Sequence, residues 1–157
     1  MATQPVPEGY HTLTPYLAVD DAAAAIEYYQ RAFGAKESVR MEGPDGKIGH
    51  AELEIGDSRV MIADPFPQSS TRPPKELGGT TANVFMYAEN VDEVLQQAID
   101  AGATMLMPPE DMFWGDRMGS ITDPFGHVWN IATHVEDVPE EEMGERAKKW
   151  QEELANA

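Results

Sequence analysis

The chain repeats itself. An offset of 69 residues carries Thr14 onto Asn83, and the same offset carries Val60-Met61-Ile62-Ala63 onto Trp129-Asn130-Ile131-Ala132. Residues 14–19 (TPYLAV) are rich in strand formers. Asp20 and Asp21 then offer N-caps to a helix with Ala22, Ala25, Ile26, Tyr29 and Phe33 on one face and Gly34 as its stop. The order recurs in residues 83–88 (NVFMYA), with Asn90 as N-cap, Glu93 as capping-box partner, and Val91, Val94, Leu95 and Ala98 on one face before Gly102. Short strand-like segments follow each helix: 36–41, 47–55 and 58–63, then 104–107, 117–122 and 127–133. The expectation is an α+β fold of two tandem βαβββ modules, module 1 over residues 11–64 and module 2 over residues 83–134. Residues 65–82, rich in Pro, Gly, Ser and Thr, read as a connecting loop inside one domain of 157 residues.

A helix covers only one face of a four-stranded sheet, so the other faces are expected to share a cleft. Alternation along the first strand of each module sends Pro15, Leu17 and Val19, and Val84 and Met86, to the helix side. It leaves Thr14, Tyr16 and Ala18, with Asn83, Phe85 and Tyr87, for the cleft. Residues 138–156 read as a further helix, with Pro139 at its first position and an apolar stripe of Met143, Ala147, Trp150 and Leu154. That stripe needs a cover, either the same domain or a second subunit, with Trp150 as anchor.

Charge and cysteine content exclude whole classes of chemistry. Twenty-eight acidic against eleven basic residues give a formal charge of -17, which repels nucleic acid and anionic membranes and draws a cationic ligand. With no cysteine there are no disulfides, thiolate metal sites or thiol nucleophiles. The N-terminus lacks the basic and apolar regions of a signal peptide and no run suits a membrane span, so a cytoplasmic location is expected.

The segments PYLAVDDAAAAIEYYQRAFGA, GKIGHAELEIGDSRVMIAD and WGDRMGSITDPFGHVWNIATH together resemble the vicinal oxygen chelate superfamily, over nearly all of residues 8–137. The likeness is to the glyoxalase/bleomycin-resistance/dioxygenase group, in particular its PhnB-like branch. The resemblance implies the glyoxalase/bleomycin resistance/dihydroxybiphenyl dioxygenase-like fold, a homodimer, and a cleft that in many members holds a divalent metal. It also implies a range of functions: lyase, isomerase, dioxygenase, thiol transfer to fosfomycin, or drug sequestration. The family's metal ligands, His or Glu, align with Thr14, Met61, Asn83 and Asn130. A hydroxyl, a thioether and two amides lack the donors that hold Zn, Fe, Ni or Mn, so no metal cofactor is predicted.

Of the four histidines, His50 stands out. It shares a strand face with Glu52 and Glu54, and with Glu52 it forms either a base or a two-donor metal site, against the plainer reading of a cross-strand hydrogen bond. His127 reads as a turn residue, and His11 and His134 as surface contacts. In Met112-Phe113-Trp114-Gly115-Asp116-Arg117, Trp114 reads as a pocket wall, and the alternative has it plugging the sheet end while Asp116 pairs with Arg117 or a backbone amide. Trp129 is expected under the second helix. The leading expectation is a metal-independent homodimer that binds or sequesters a small aromatic or cationic organic molecule, possible antibiotics included, with Thr14, Tyr16, Met61, Asn83, Phe85, Tyr87, Trp114 and Asn130 lining the cleft. The alternatives are a metal-dependent enzyme of the same fold (lyase, isomerase or dioxygenase) using His50 and Glu52, and an interaction module with a vestigial cleft.

Overall fold

The computed structural model describes residues 3–157. Module 1 consists of β1 (Tyr16–Ala18), α1 (Ala22–Phe33), β2 (Lys36–Glu42), β3 (Ile48–Ile55) and β4 (Ser58–Ala63). After a short helix α2 (Pro74–Leu77), module 2 repeats the order with β5 (Asn83–Tyr87), α3 (Val91–Asp100), β6 (Thr104–Asp111), β7 (Asp116–Thr122) and β8 (Val128–His134), and α4 (Glu140–Ala155) ends the chain. The two sheets have equivalent orders, β1-β4-β3-β2 and β5-β8-β7-β6, each with its first strand parallel to its last. The βαβββ duplication is therefore a property of the fold as well as of the sequence. Among the described residues no helix is long and apolar enough to cross a membrane.

The helix ends show why these segments form. The Asp21 carboxylate accepts the Ala24 N–H at 3.0 Å, and Gly34, at φ 64, returns its N–H to Gln30 O at 3.1 Å. Asn90 caps α3 in the same way, through the Glu93 N–H at 3.3 Å. Each helix has a second cap from the end of its module's last strand. Asp64 Oδ1 accepts the Ala22 N–H and Thr133 Oγ1 accepts the Val91 N–H, both at 2.8 Å. These caps obey the 69-residue offset although their side chains differ.

The modules meet through α1 and α3, on the helix sides of their sheets. Leu17, Val19, Ala51, Leu53 and Ile62 of the first sheet and Ile121, Trp129 and Ile131 of the second are buried in one continuous core with both helices. Tyr28 of α1 donates to Ala98 O, and the Tyr29 hydroxyl reaches Asp123 Oδ2 at 2.5 Å. Asp123 also accepts from Trp129 Nε1 and from the Phe125 and His127 N–H groups, so this buried carboxylate is fully hydrogen-bonded. Trp129 is core, with its ring 4.6 Å from Phe33 and 5.4 Å from Tyr29 of α1, and the strand that carries it also packs against α3.

Other expectations need correction. Part of the 65–82 connection is helical, because Pro74 starts α2 at a position that needs no N–H. Strand β6 continues past residue 107 through Pro108 and Pro109, and the prolines, which cannot donate to the ladder, coincide with a register shift between Met107 and Glu110. Pro139 is the N-cap of α4, one position before the first helical residue. No residue of α4 is buried, and Trp150 rests against the Phe113 ring at 5.5 Å while remaining 39% exposed.

Candidate functional site

The faces opposite the helices are open. Alternation holds on both first strands: Leu17 and Val19 are buried and Val84 and Met86 pack on the core, while Tyr16, Phe85 and Tyr87 are 48%, 47% and 63% exposed. Ala18 departs from the pattern and is buried. Among the described residues no strand of one sheet is hydrogen-bonded to a strand of the other, and no side-chain hydrogen bond joins the open faces. What the modules share within the chain is a groove of about 750 Å³ along β5, bounded by Leu13 and Thr14 on one side and by Val84, Phe85 and Tyr87 on the other. Of the eight expected cleft residues, Thr14, Phe85 and Tyr87 line this groove. Tyr16 and Met61 belong to the open face of module 1, Asn83 and Asn130 to that of module 2, and Trp114 to the loop before β7.

On the module 1 face, His50 and Glu52 do meet. His50 Nε2 lies 3.0 Å from Glu52 Oε1, and His50 Nδ1 lies 3.0 Å from the Tyr16 hydroxyl. The Tyr10 hydroxyl donates to the other oxygen of Glu52, and the Arg59 guanidinium sits 4.5 Å over the Tyr10 ring. Glu52 is only 7% exposed, and hydrogen bonds from Tyr10 and then His50 hold its carboxyl below the ordinary range. The same contact with Glu52 pushes the Tyr10 phenol up. The result is an ordered row, Tyr16–His50–Glu52–Tyr10, that can orient an imidazole and pass hydrogen-bond polarity to the surface. Tyr10 was outside the sequence expectation because the strand pattern does not show where the N-terminal segment lies across it.

The equivalent place on module 2 is neutral. Glu52 pairs in register with Met61 and its counterpart Ser120 with Asn130, and the Ser120 hydroxyl donates to Asn130 Oδ1 at 3.0 Å. Asn83 opposes Val128 while Asn130 opposes Phe85, so the two amides are diagonal neighbours on adjacent strands, and Asn130 pairs with Ser120 rather than with Asn83. The four positions aligned with the family's ligands thus divide between the modules, with Met61 opposite Tyr16 and Thr14 just before β1 in one, and Asn130 opposite Phe85 and Asn83 at the start of β5 in the other. A hydroxyl, a thioether and two amides lack the imidazole and carboxylate donors of a divalent-metal site. Among the described residues, no three His, Asp or Glu side chains converge as such a site requires.

A second polar cluster lies where β5, β7 and β8 end. Asp116, 3% exposed, accepts His134 Nδ1 at 2.8 Å and both the Tyr87 hydroxyl and Trp114 Nε1 at 3.0 Å. Burial works to raise its pKa, but those three hydrogen bonds outweigh it and hold the carboxyl below its ordinary value. His134 faces Asp137 with its other nitrogen at 2.8 Å, and hydrogen bonds to Asp137 and then Asp116 push the imidazole up. Asp116 does not pair with Arg117, which binds Asp92 and Asp111 instead. His134, expected as a surface contact, is exposed but links two carboxylates; its spacing of three from Asp137 was the one local signal. His127 reaches across the module boundary to Ala18 O at 2.8 Å, and His11 meets Asp57 O at 3.2 Å.

Comparison with known proteins places this geometry. The profile of the Glyoxalase/Bleomycin resistance protein/Dioxygenase superfamily matches residues 10–131. An uncharacterized protein of Mycobacterium tuberculosis, Rv0887c, is 44% identical over 134 residues, covering 83% of this chain and 79% of its own. The crystal structure of TioX from Micromonospora sp. ML1 superposes with a TM-score of 0.64 at 29% identity, covering 80% of this chain and all but 1% of that one. That of the Arabidopsis thaliana product AT5G48480 gives 0.60 at 26% identity, over 78% and 98% of the two chains. With the duplicated βαβββ modules and a profile match that spans both of them, the chain belongs to the Glyoxalase/Bleomycin resistance protein/Dioxygenase superfamily, the vicinal oxygen chelate group.

Proposed function

We propose that this chain binds and sequesters a small aromatic or amphipathic organic molecule without a metal, and that antibiotic resistance is the physiological role such sequestration serves. One observation carries the reading: the positions aligned with the family's metal ligands are Thr14, Met61, Asn83 and Asn130, and they stand beside the exposed rings of Tyr16, Phe85 and Tyr87. Exposed rings flanked by hydroxyl and amide groups recognise a planar ligand through apolar area and a few directed hydrogen bonds. A second copy of the chain is the partner proposed for the open faces, closing the module 1 face of one protomer against the module 2 face of the other around the ligand. The test is equilibrium dialysis of chelator-treated protein against bleomycin and a panel of planar organic molecules, with sedimentation to count protomers. Saturable binding by a metal-free dimer is expected; binding that appears only when metal is returned would remove the reading.

A second reading, an enzyme of the same fold using His50 and Glu52, is favoured by the ordered Tyr16–His50–Glu52 row. Elemental analysis of protein purified without chelators separates the two. Stoichiometric metal that disappears in His50→Ala would replace sequestration with a metal-dependent lyase, isomerase or dioxygenase.

A further inference from the structure

The hydrogen-bond row on the module 1 face has a direction, and the direction specifies what a ligand must offer. At its inner end Glu52 is nearly buried, and two hydrogen bonds hold its carboxyl in the ionised form. An ionised carboxylate only accepts, so His50 Nε2, 3.0 Å from Glu52 Oε1, carries a proton. With the imidazole in its neutral form the lone pair sits on Nδ1, and Tyr16, 3.0 Å away, donates to it. With its only proton committed inward, Tyr16 Oη has lone pairs left for the open face, where the residue is 48% exposed. Hydrogen bonds in such a row polarise one another, so the negative character of a nearly buried carboxylate is presented at a surface phenol oxygen.

The surrounding groups leave that oxygen available. Tyr10 occupies the second oxygen of Glu52, and Arg59 stacks on Tyr10 and pairs with Glu54 at 3.0 Å. Across from His50, β2 presents Met41, an exposed thioether. Among the described residues no Lys or Arg side chain is hydrogen-bonded to Tyr16. A carboxylate or phosphate brought to this place would set lone pairs against lone pairs on a protein of formal charge -17.

We propose that the module 1 face is a subsite for a protonated amine or amidine carried on an aromatic body, its N–H donating to Tyr16 Oη while the cation lies against the exposed ring. The proposal rests on the sequestration reading and names the ligand class for it. Cation–π attraction and a charge-assisted hydrogen bond act together on such a group, and neither acts on a neutral alcohol of the same shape.

Three probes of one shape test it: 2-naphthylmethylamine, 2-naphthalenemethanol and 2-naphthoate, each dialysed against the full-length, chelator-treated protein. The ammonium is expected to bind at least about tenfold tighter than the alcohol, the scale of one charge-assisted hydrogen bond, with the carboxylate weakest. Tyr16→Phe is expected to abolish the preference for the ammonium, weakening it far more than the alcohol. The net charge is unchanged in that variant, so the loss is local. His50→Leu should act in the same direction, and melting curves check that both variants remain folded. Nitrogen-15 NMR of the imidazole should show His50 protonated on Nε2 and bare on Nδ1. Equal binding of the three probes, a preference that survives Tyr16→Phe, or a proton on Nδ1 would overturn the subsite and leave sequestration standing. If none of the probes binds, both readings fall together.

Discussion

Asp116 concentrates more polar contacts than its surroundings would suggest. Three donors from three segments converge on a carboxylate that water barely reaches. Asp116→Ala is therefore expected to cost about 2–4 kcal/mol in a urea titration, since it orphans Tyr87, Trp114 and His134 together. The pH dependence follows from the opposite shifts of the two partners. Asp116, depressed in the folded state, contributes stability above the ordinary 3.8 that is lost as pH falls through its lower folded value. His134, raised in the folded state, contributes stability in full below the ordinary 6.5 that is lost as pH rises through its higher folded value. Urea midpoints should thus decline on both sides of a plateau between those limits, and His134→Gln should flatten the alkaline decline alone. Little of this cluster was legible beyond its residue types and the three-residue spacing of His134 from Asp137. Neighbouring charges of opposite sign made Asp116 and Arg117 look like a pair, but alternation along β7 sends them to opposite faces. The His50–Glu52 pair was legible for the same reason, because residues two apart on a strand share a face.

Among the elements, the modules' strands and helices were readable because period and caps agree, as the offset caps Asp64 and Thr133 show at the far end of each module. What the sequence concealed were features set by contacts between segments. Gly115 is one: at φ 98 its carbonyl accepts the N–H groups of Val135 and Glu136, and a Cβ there would lie 2.0 Å from Glu136 O. Gly115→Ala should destabilise the protein by more than about 2 kcal/mol, read by thermal melting, or force the 135–138 segment and the root of α4 away from the sheet. The helix α4 is the contrasting case. Its stripe was visible from period alone, but how well the stripe is covered depends on a surface the pattern does not describe. With no buried residue, α4 is expected to exchange its amide hydrogens far faster than α1 or α3, and Trp150→Ala to change the unfolding midpoint of the core little.

At the scale of the molecule, the chain is held together by side chains that leave their own module. Tyr28, Tyr29 and Phe33 belong to α1 by sequence, yet Ala98, Asp123 and Trp129, their partners, belong to module 2. Calorimetry should accordingly show one cooperative transition for both modules. Tyr29→Phe, which leaves an oxygen of buried Asp123 with one donor fewer, should lower its midpoint with a loss of about 1–2 kcal/mol. The duplication was legible, but which faces its two halves would turn to each other was not, since a βαβββ unit can bury its helix side against either helix. With the helix sides buried against each other, the halves are joined by contacts such as that of Tyr29 with Asp123, which do not run through the connection at residues 65–82. A single backbone cut at the exposed residues 66–68 would therefore leave two fragments that stay together and melt as one, a protein divisible in sequence and undivided in space.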